Sequence, residues 1–223
     1  MPGEPSNPKV MLAEYSSLVD DAYALFLDAM SAMPKFATWL EDSQRRSLEM
    51  FRGHENGPTT VEELDNTSFL YGTGDPNKPE EVRVQHESTQ GEVKARNQQH
   101  GVNCRTVSRV LIITIYQFWE DHYRQQFANL VGKAKNEIAS DFFGDIRHLR
   151  NDIIHHRNFA SERVAKCKRL KYFEPGDEIF LSQDEAIEVM SELRAALDEL
   201  CIEFTGATGE FANRVSVSGY RHI

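Results

Sequence analysis

Apolar positions recur at helical spacing along much of this chain. From about Val10 to Met33, Leu12, Tyr15, Leu18, Ala22, Leu25, Phe26 and Ala29 line one face, which predicts an amphipathic helix. Pro34 interrupts the pattern, and Phe36 to Phe51 resumes it with Trp39, Leu40, Leu48 and Phe51. A proline there predicts a bent helix or a helical pair. The densest pattern runs from Thr106 to Leu130, with Val107, Val110, Leu111, Thr114, Ile115, Phe118, Trp119, His122 and Phe127 on one broad face and Gly132 placed to end the helix. Ile138, Phe142, Ile146, Leu149 and Ile153 step at four, four, three and four, so Ile138 to His156 reads as the next helix with this stripe toward the core. The last helix carries Ala186, Ile187, Met190, Leu193, Leu197, Leu200, Cys201 and Phe204, and Ser182-Gln183-Asp184-Glu185 reads as its capping box.

Two stretches depart from the helical period. Arg169 to Phe173 and Glu178 to Leu181 flank Pro175-Gly176 and read as a small β-hairpin before the last helix. Turn formers crowd residues 53–78, where Thr60 to Glu63 fits the cap of a short helix, and residues 80–103 are polar, with room for one solvated helix. The expected architecture is all-α, a helical bundle with that hairpin inserted. It comprises a disordered tail at 1–8, a single domain at 9–204 with an irregular insertion at about 54–103, and a C-terminal tail at 205–223.

Composition adds bounds. The 223 residues are 27% charged and 40% hydrophobic, ordinary for a globular protein. The longest apolar run, Val110 to Tyr116, is too short to span a bilayer, and the N-terminus lacks the basic start and apolar core of a secretory signal. A cytoplasmic protein without membrane contact is expected. Cys104, Cys167 and Cys201 are isolated, which predicts small buried thiols rather than a disulfide framework or a thiolate metal site. The net charge of −10 argues against a general nucleic-acid coat. Yet Arg147 to Lys171 holds eight Lys/Arg against Asp152 and Glu162. Screening keeps such charge local, so this basic island points to a local anion site.

Within the island lies Arg150-Asn151-Asp152-Ile153-Ile154-His155-His156. Arginine grips phosphate as a planar fork, and histidine exchanges its proton near neutral pH. On a helix, Arg147, Asn151 and His155 share one stripe, and His148, Asp152 and His156 the next. Asn151 is therefore placed to hydrogen-bond and orient His155. Arg150 and His155 are five apart and do not strictly share a face. They converge on one ligand only from its two sides or across a dimer axis. A metal reading competes. The stripe from His148 to His156 spans roughly 12 Å, too long for one ion to touch all three, so a metal needs a pair from it plus Glu120 or His122. No metal and no cofactor is the expectation. His122 and Trp119 are expected as core residues.

The string Leu149-Arg150-Asn151-Asp152-Ile153-Ile154-His155-His156-Arg157-Asn158 resembles the signature of HEPN domains (higher eukaryote and prokaryote nucleotide-binding), an arginine, usually a polar residue next, and a histidine after four to six intervening residues. Trp119-Glu120 on the preceding helix resembles that family's core helix. The likeness covers about residues 105–204. It implies a homodimeric, metal-independent endoribonuclease that cleaves RNA by 2′-hydroxyl attack at a dimer cleft. Carried over, Arg150 holds the scissile phosphate, His155 is the general acid or base, and Asn151 positions it. Arg147, His156 and Arg157 are expected to contact the RNA. Some toxin members place tyrosine where Arg157 stands, so a modification of that tyrosine does not transfer. A role in toxin–antitoxin systems or antiviral defence, with an antitoxin protein as partner, rests on the resemblance alone. The alternative is a non-catalytic dimeric module that binds RNA, a nucleotide or a partner protein.

Overall fold

The computed structural model describes residues 7–54, 57–75 and 77–212, so most of the expected N-terminal tail and the C-terminal tail beyond Ala212 lie outside the described residues. The chain is mostly helical. In order, the elements are α1 (Pro8–Met50), α2 (Val61–Asp65), β1 (Ser68–Thr73), β2 (Arg83–Thr89), α3 (Gln90–Asn97), α4 (Val102–Phe118), a π turn (Trp119–Tyr123), α5 (Arg124–Leu130), α6 (Asp141–His155) and α7 (Gln183–Thr205). Two compact units divide it: Met1–Leu27 with Val107–Ile223, and Asp28–Thr106. Among the described residues no helix is long and apolar enough to cross a membrane.

In the first unit, Met11, Leu12, Tyr15, Val19 and Phe26 of α1 are buried in one core, together with Leu111, Ile112 and Ile115 of α4, the expected α6 stripe, and Leu193, Leu197 and Leu200 of α7. Burial on this scale is the main stabilising term of the bundle. The Tyr15 hydroxyl donates to the Ile115 carbonyl at 2.8 Å, which satisfies the one polar group that this ring brings into the core. α4 passes through the π turn into α5 without a break. An i→i+5 turn inserts one extra residue and rotates the helix beyond it. The buried series therefore runs Trp119, Tyr123, Phe127, while Phe118 is 38% exposed and His122, expected in the core, faces solvent.

α6 buries two acids beside its apolar stripe. Asp145 accepts from the backbone N–H of Lys168 (3.0 Å), Arg169 (2.7 Å) and Leu170 (3.0 Å). Asp152 accepts from Ser161 N (2.7 Å) and Oγ (2.8 Å). From α4, Arg109 Nε donates to the Ile179 carbonyl at 2.8 Å, and Ser108 Oγ accepts from Leu181 N. Buried backbone groups must find partners. Here side chains supply several of them and the 158–160 backbone others; residues 169–181 form no ladder among themselves, and a single bridge joins Phe159 to Glu178. The two-stranded antiparallel hairpin that precedes the last helix lies at β1 and β2 instead, with Phe69 opposite Ser88 and Tyr71 opposite His86. α7 opens on the expected capping box, with Glu185 N donating to Ser182 Oγ (3.2 Å) and Ser182 N to Glu185 Oε2 (2.7 Å), and Gly206 closes it at φ +75°. The described residues beyond it fold back: Asp198 accepts from Phe211 N (3.1 Å) and Ala212 N (2.8 Å), and Phe211 is fully buried.

The second unit contains the hairpin and two capped helices. Thr60 and Glu63 form the box of α2, and Thr89 and Glu92 that of α3. Lys94 is buried and paired with Asp65 at 2.6 Å, and Gln44 bonds both partners at 2.8 Å. A closed polar network of this kind satisfies each buried charge.

Candidate anion site on the last turns of α6

α6 presents its basic residues toward the π-turn region of the preceding helix. The Arg150 guanidinium lies 5.8 Å over the Tyr116 ring, a cation–π contact. Its Nη1 donates to Asn151 Oδ1 at 3.1 Å, while its Nε is buried and unpartnered. Beside them is a cleft of about 200 Å³ whose lining includes Tyr116, Glu120, Arg124, Ser140, Gly144 and Arg147. Ser140 Oγ is a second buried polar atom with no partner there.

Glu120 organises the wall of this cleft. It accepts from Arg124 Nη1 (2.9 Å) and pairs with Lys135 Nζ (2.9 Å), which also donates to the Glu120 carbonyl at 2.7 Å. Burial pushes its carboxyl pKa up, but the bonds from Lys135 and Arg124 outweigh that and hold it below the ordinary range. The Tyr116 phenol is raised, first by burial and then by Glu120, against the opposing pull of Arg147, Arg124 and Arg150. A single carboxylate thus stands among four cationic side chains.

The rest of the predicted set sits at the end of α6. His155 occupies the last helical turn, exposed and without a hydrogen bond or ion pair among the described residues. Asn151 accepts from Arg150, and no Asn151–His155 bond accompanies it. His156 stands just past the helix end, exposed, 3.9 Å from Asp152 Oδ1. Arg157 and Asn158 then adopt φ of +54° and +72°. Two successive non-glycine residues in the left-handed region are strained and persist only where surroundings fix them. Ile179 N donating to the Asn158 carbonyl at 2.7 Å, and Ser161 bound to Asp152, supply that hold. Along the axis, Arg150 and His155 are separated by about 7.5 Å at 1.5 Å per residue.

The basic island is partly neutralised. Lys168 pairs with Asp141 at 2.7 Å, and Arg169 with Glu192 (2.5 Å) and Glu199 (2.6 Å). Arg147, Arg157, Arg163, Lys166 and Lys171 are exposed and form no ion pair among the described residues. On the competing metal stripe, Asp152 is fully buried and committed to Ser161, and no group of three or more His, Cys, Asp or Glu suited to an ion occurs among the described residues.

Sequence reasoning did not single out Tyr116, Arg124 or Lys135. The spacing of Tyr116, Glu120 and Arg124 by four was a signal for the first two, since such residues share a helix face. Lys135, in a short connection, offered none. Chemically, a guanidinium beside unpaired cations suits an anionic oxygen, and an unengaged imidazole suits proton transfer. No family model matches this chain, and neither does any curated protein or solved structure.

Proposed function

We propose that this chain is a metal-independent endoribonuclease of HEPN type that works as a homodimer. The observation that carries the reading is the part-buried Arg150 guanidinium with Arg147, exposed and without an ion pair among the described residues, one turn away. A phosphodiester would pair with these two cations. In this reading Arg150 stabilises charge on the scissile phosphate, and His155 takes or returns the proton of the 2′-hydroxyl or leaving oxygen. Asn151 fixes the guanidinium, to which it is bonded, rather than the imidazole. Arg147, His156 and Arg157 steer the RNA backbone. An antitoxin protein and a defence role belong to this proposal only through the family likeness.

The test is cleavage of unstructured RNA in EDTA. The expected result is activity that falls at least 100-fold in both Arg150→Ala and His155→Ala and vanishes when the nucleotide 5′ of the cut carries a 2′-deoxy sugar. Cleavage that ignores either substitution would sink the assignment. The second reading, a non-catalytic module, is favoured by the packing of Arg150 on Tyr116, which gives the guanidinium a structural role. Binding of RNA, nucleotide or a partner protein, weakened by Arg147→Ala and accompanied by no cleavage, selects that reading.

A further inference from the structure

The second unit carries a feature that the α6 site does not use. Five rings succeed one another across it: Trp39 and Phe36 of α1 stack at 5.7 Å, Phe36 meets Phe69 of β1 at 6.1 Å, Phe69 meets Tyr71 at 5.1 Å, and Tyr71 meets His86 of β2 at 5.8 Å. Phe69 and Tyr71 alternate along β1 and so share one face of the hairpin. The rings are not core. Trp39 is 53% exposed, His86 is exposed, and Phe36, Phe69 and Tyr71 are half-buried. Arg96 of α3 braces them, with its guanidinium 5.5 Å over the Tyr71 ring and Nη2 donating to the Tyr71 hydroxyl at 3.0 Å.

A hollow of about 520 Å³ opens beside this row, lined by Phe36, Tyr71, Gln85, His86, Arg96 and Asn103 among others, and none of its lining residues is acidic. The polar lining is also suited to an edge. The exposed Gln85 amide has no partner among the described residues, and Asn103 donates to Asn97 Oδ1 at 2.9 Å while keeping its own carbonyl oxygen for a ligand. Amides carry a donor and an acceptor side by side, as the edge of a nucleobase does.

We propose that this face of the second unit binds unpaired nucleobases of single-stranded RNA. The bases stack on the Trp39–Phe36–Phe69–Tyr71 row, Arg96 offers its charge to the backbone, and Gln85 and Asn103 meet a base edge. Stacking on aromatic side chains with an arginine alongside is the sequence-tolerant mode of single-strand recognition. The choice of RNA among base-bearing ligands rests on the ribonuclease reading of α6. The platform itself does not need cleavage.

The test uses the full chain carrying His155→Ala, so that the probe survives. Labelled twelve-nucleotide oligo(U) and oligo(A), their DNA counterparts, an RNA duplex and a proline-rich peptide are titrated by fluorescence anisotropy. The RNA single strands are expected to bind at least ten-fold tighter than the duplex and the peptide, and to quench tryptophan emission by an amount that Trp39→Leu largely removes. Tyr71→Leu and Trp39→Leu, with unchanged melting temperatures, are each expected to weaken binding about ten-fold or more. Trp39→Leu, at an exposed site, keeps the test valid if Tyr71→Leu misfolds. Equal binding of single strand and duplex, insensitivity to both substitutions, preference for the peptide, or failure to bind any single strand overturns the inference. DNA strands that bind as well as RNA leave the stacking platform standing and remove its RNA choice. Cleavage by the unsubstituted chain is scored apart. Absent cleavage with intact platform binding removes only the α6 reading.

Discussion

Asp145 does with one carboxylate what a partner strand does with several carbonyls: it takes three successive backbone N–H groups at 168–170 while itself buried. Asp145→Ala leaves those donors without an acceptor, and a buried unsatisfied donor costs about 1–3 kcal/mol. Urea denaturation is expected to show a loss of about 3 kcal/mol or more, with Asp145→Asn losing less because its amide oxygen still accepts. Cys167 lies next to this carboxylate. Burial first, then Asp145, pushes its thiol from 9.0 up to about 12. The folded thiol thus holds its proton after the unfolded one has released it. The stability it contributes is complete below pH 9 and is lost as pH climbs toward 12. Melting studied from about pH 9 to about pH 10 is expected to show declining stability, and Cys167→Ala to flatten the decline. Cys104 and the tyrosines Tyr15, Tyr23, Tyr116, Tyr123 and Tyr172, all raised first by burial, add to the alkaline decline that remains.

At the scale of elements, two helices run through local obstacles. α1 continues over Pro34, which lacks an amide hydrogen and sits in the helix interior. Proline there is about 3 kcal/mol less favourable than alanine. Pro34→Ala is expected to raise the melting temperature, by about 1–3 kcal/mol of stability after local relaxation; a lower one would show that the proline geometry is required. In the other, the π turn carries Trp119 into a 4.1 Å stack on Phe143 of α6 and leaves Arg124 donating to the Ile138 carbonyl at 2.9 Å. A regular α-helix would have placed Phe118 and His122 on that line. π turns are often found at functional sites, and this one flanks the Glu120 cleft.

For the whole molecule, the local basic surface in an acidic chain and the separation of Arg150 from His155 bear on assembly. If one cleft takes its arginine from one protomer and its histidine from the partner, inactive Arg150→Ala and inactive His155→Ala proteins complement each other after subunit exchange. Each mixed dimer then keeps one intact composite site, and mixing is expected to restore a fraction of RNA cleavage. No recovery despite mixed dimers detected by native mass spectrometry would place both residues of a site on one protomer.

The α6 stripe from Phe142 to Ile153 and the Ser182 capping box were legible because both are local: a period of 3.6 residues and a three-residue spacing need no knowledge of distant partners, although the helix starts at Asp141 and Ile138 lies before it. So was the chemistry of Arg150 and His155, which is a property of the side chains themselves. The hairpin was misplaced because residues 169–181 have strand-like alternation, yet α4 and α6 side chains occupy their backbone groups, while β1 and β2 lie in a polar stretch whose ring faces read poorly as strands. His122 was misjudged because the π turn is one extra residue that no periodic window registers. Amino-acid order by itself determined the main helical stripes, the Thr60 and Ser182 caps and the motif's reactive groups. Only the tertiary structure decided that Asp152 belongs to Ser161 and that Tyr116, Arg124 and Lys135 surround the cleft, since each depends on the partner that packing brings within reach, and only the structure showed Asn151 bonded to its neighbour Arg150 instead of His155.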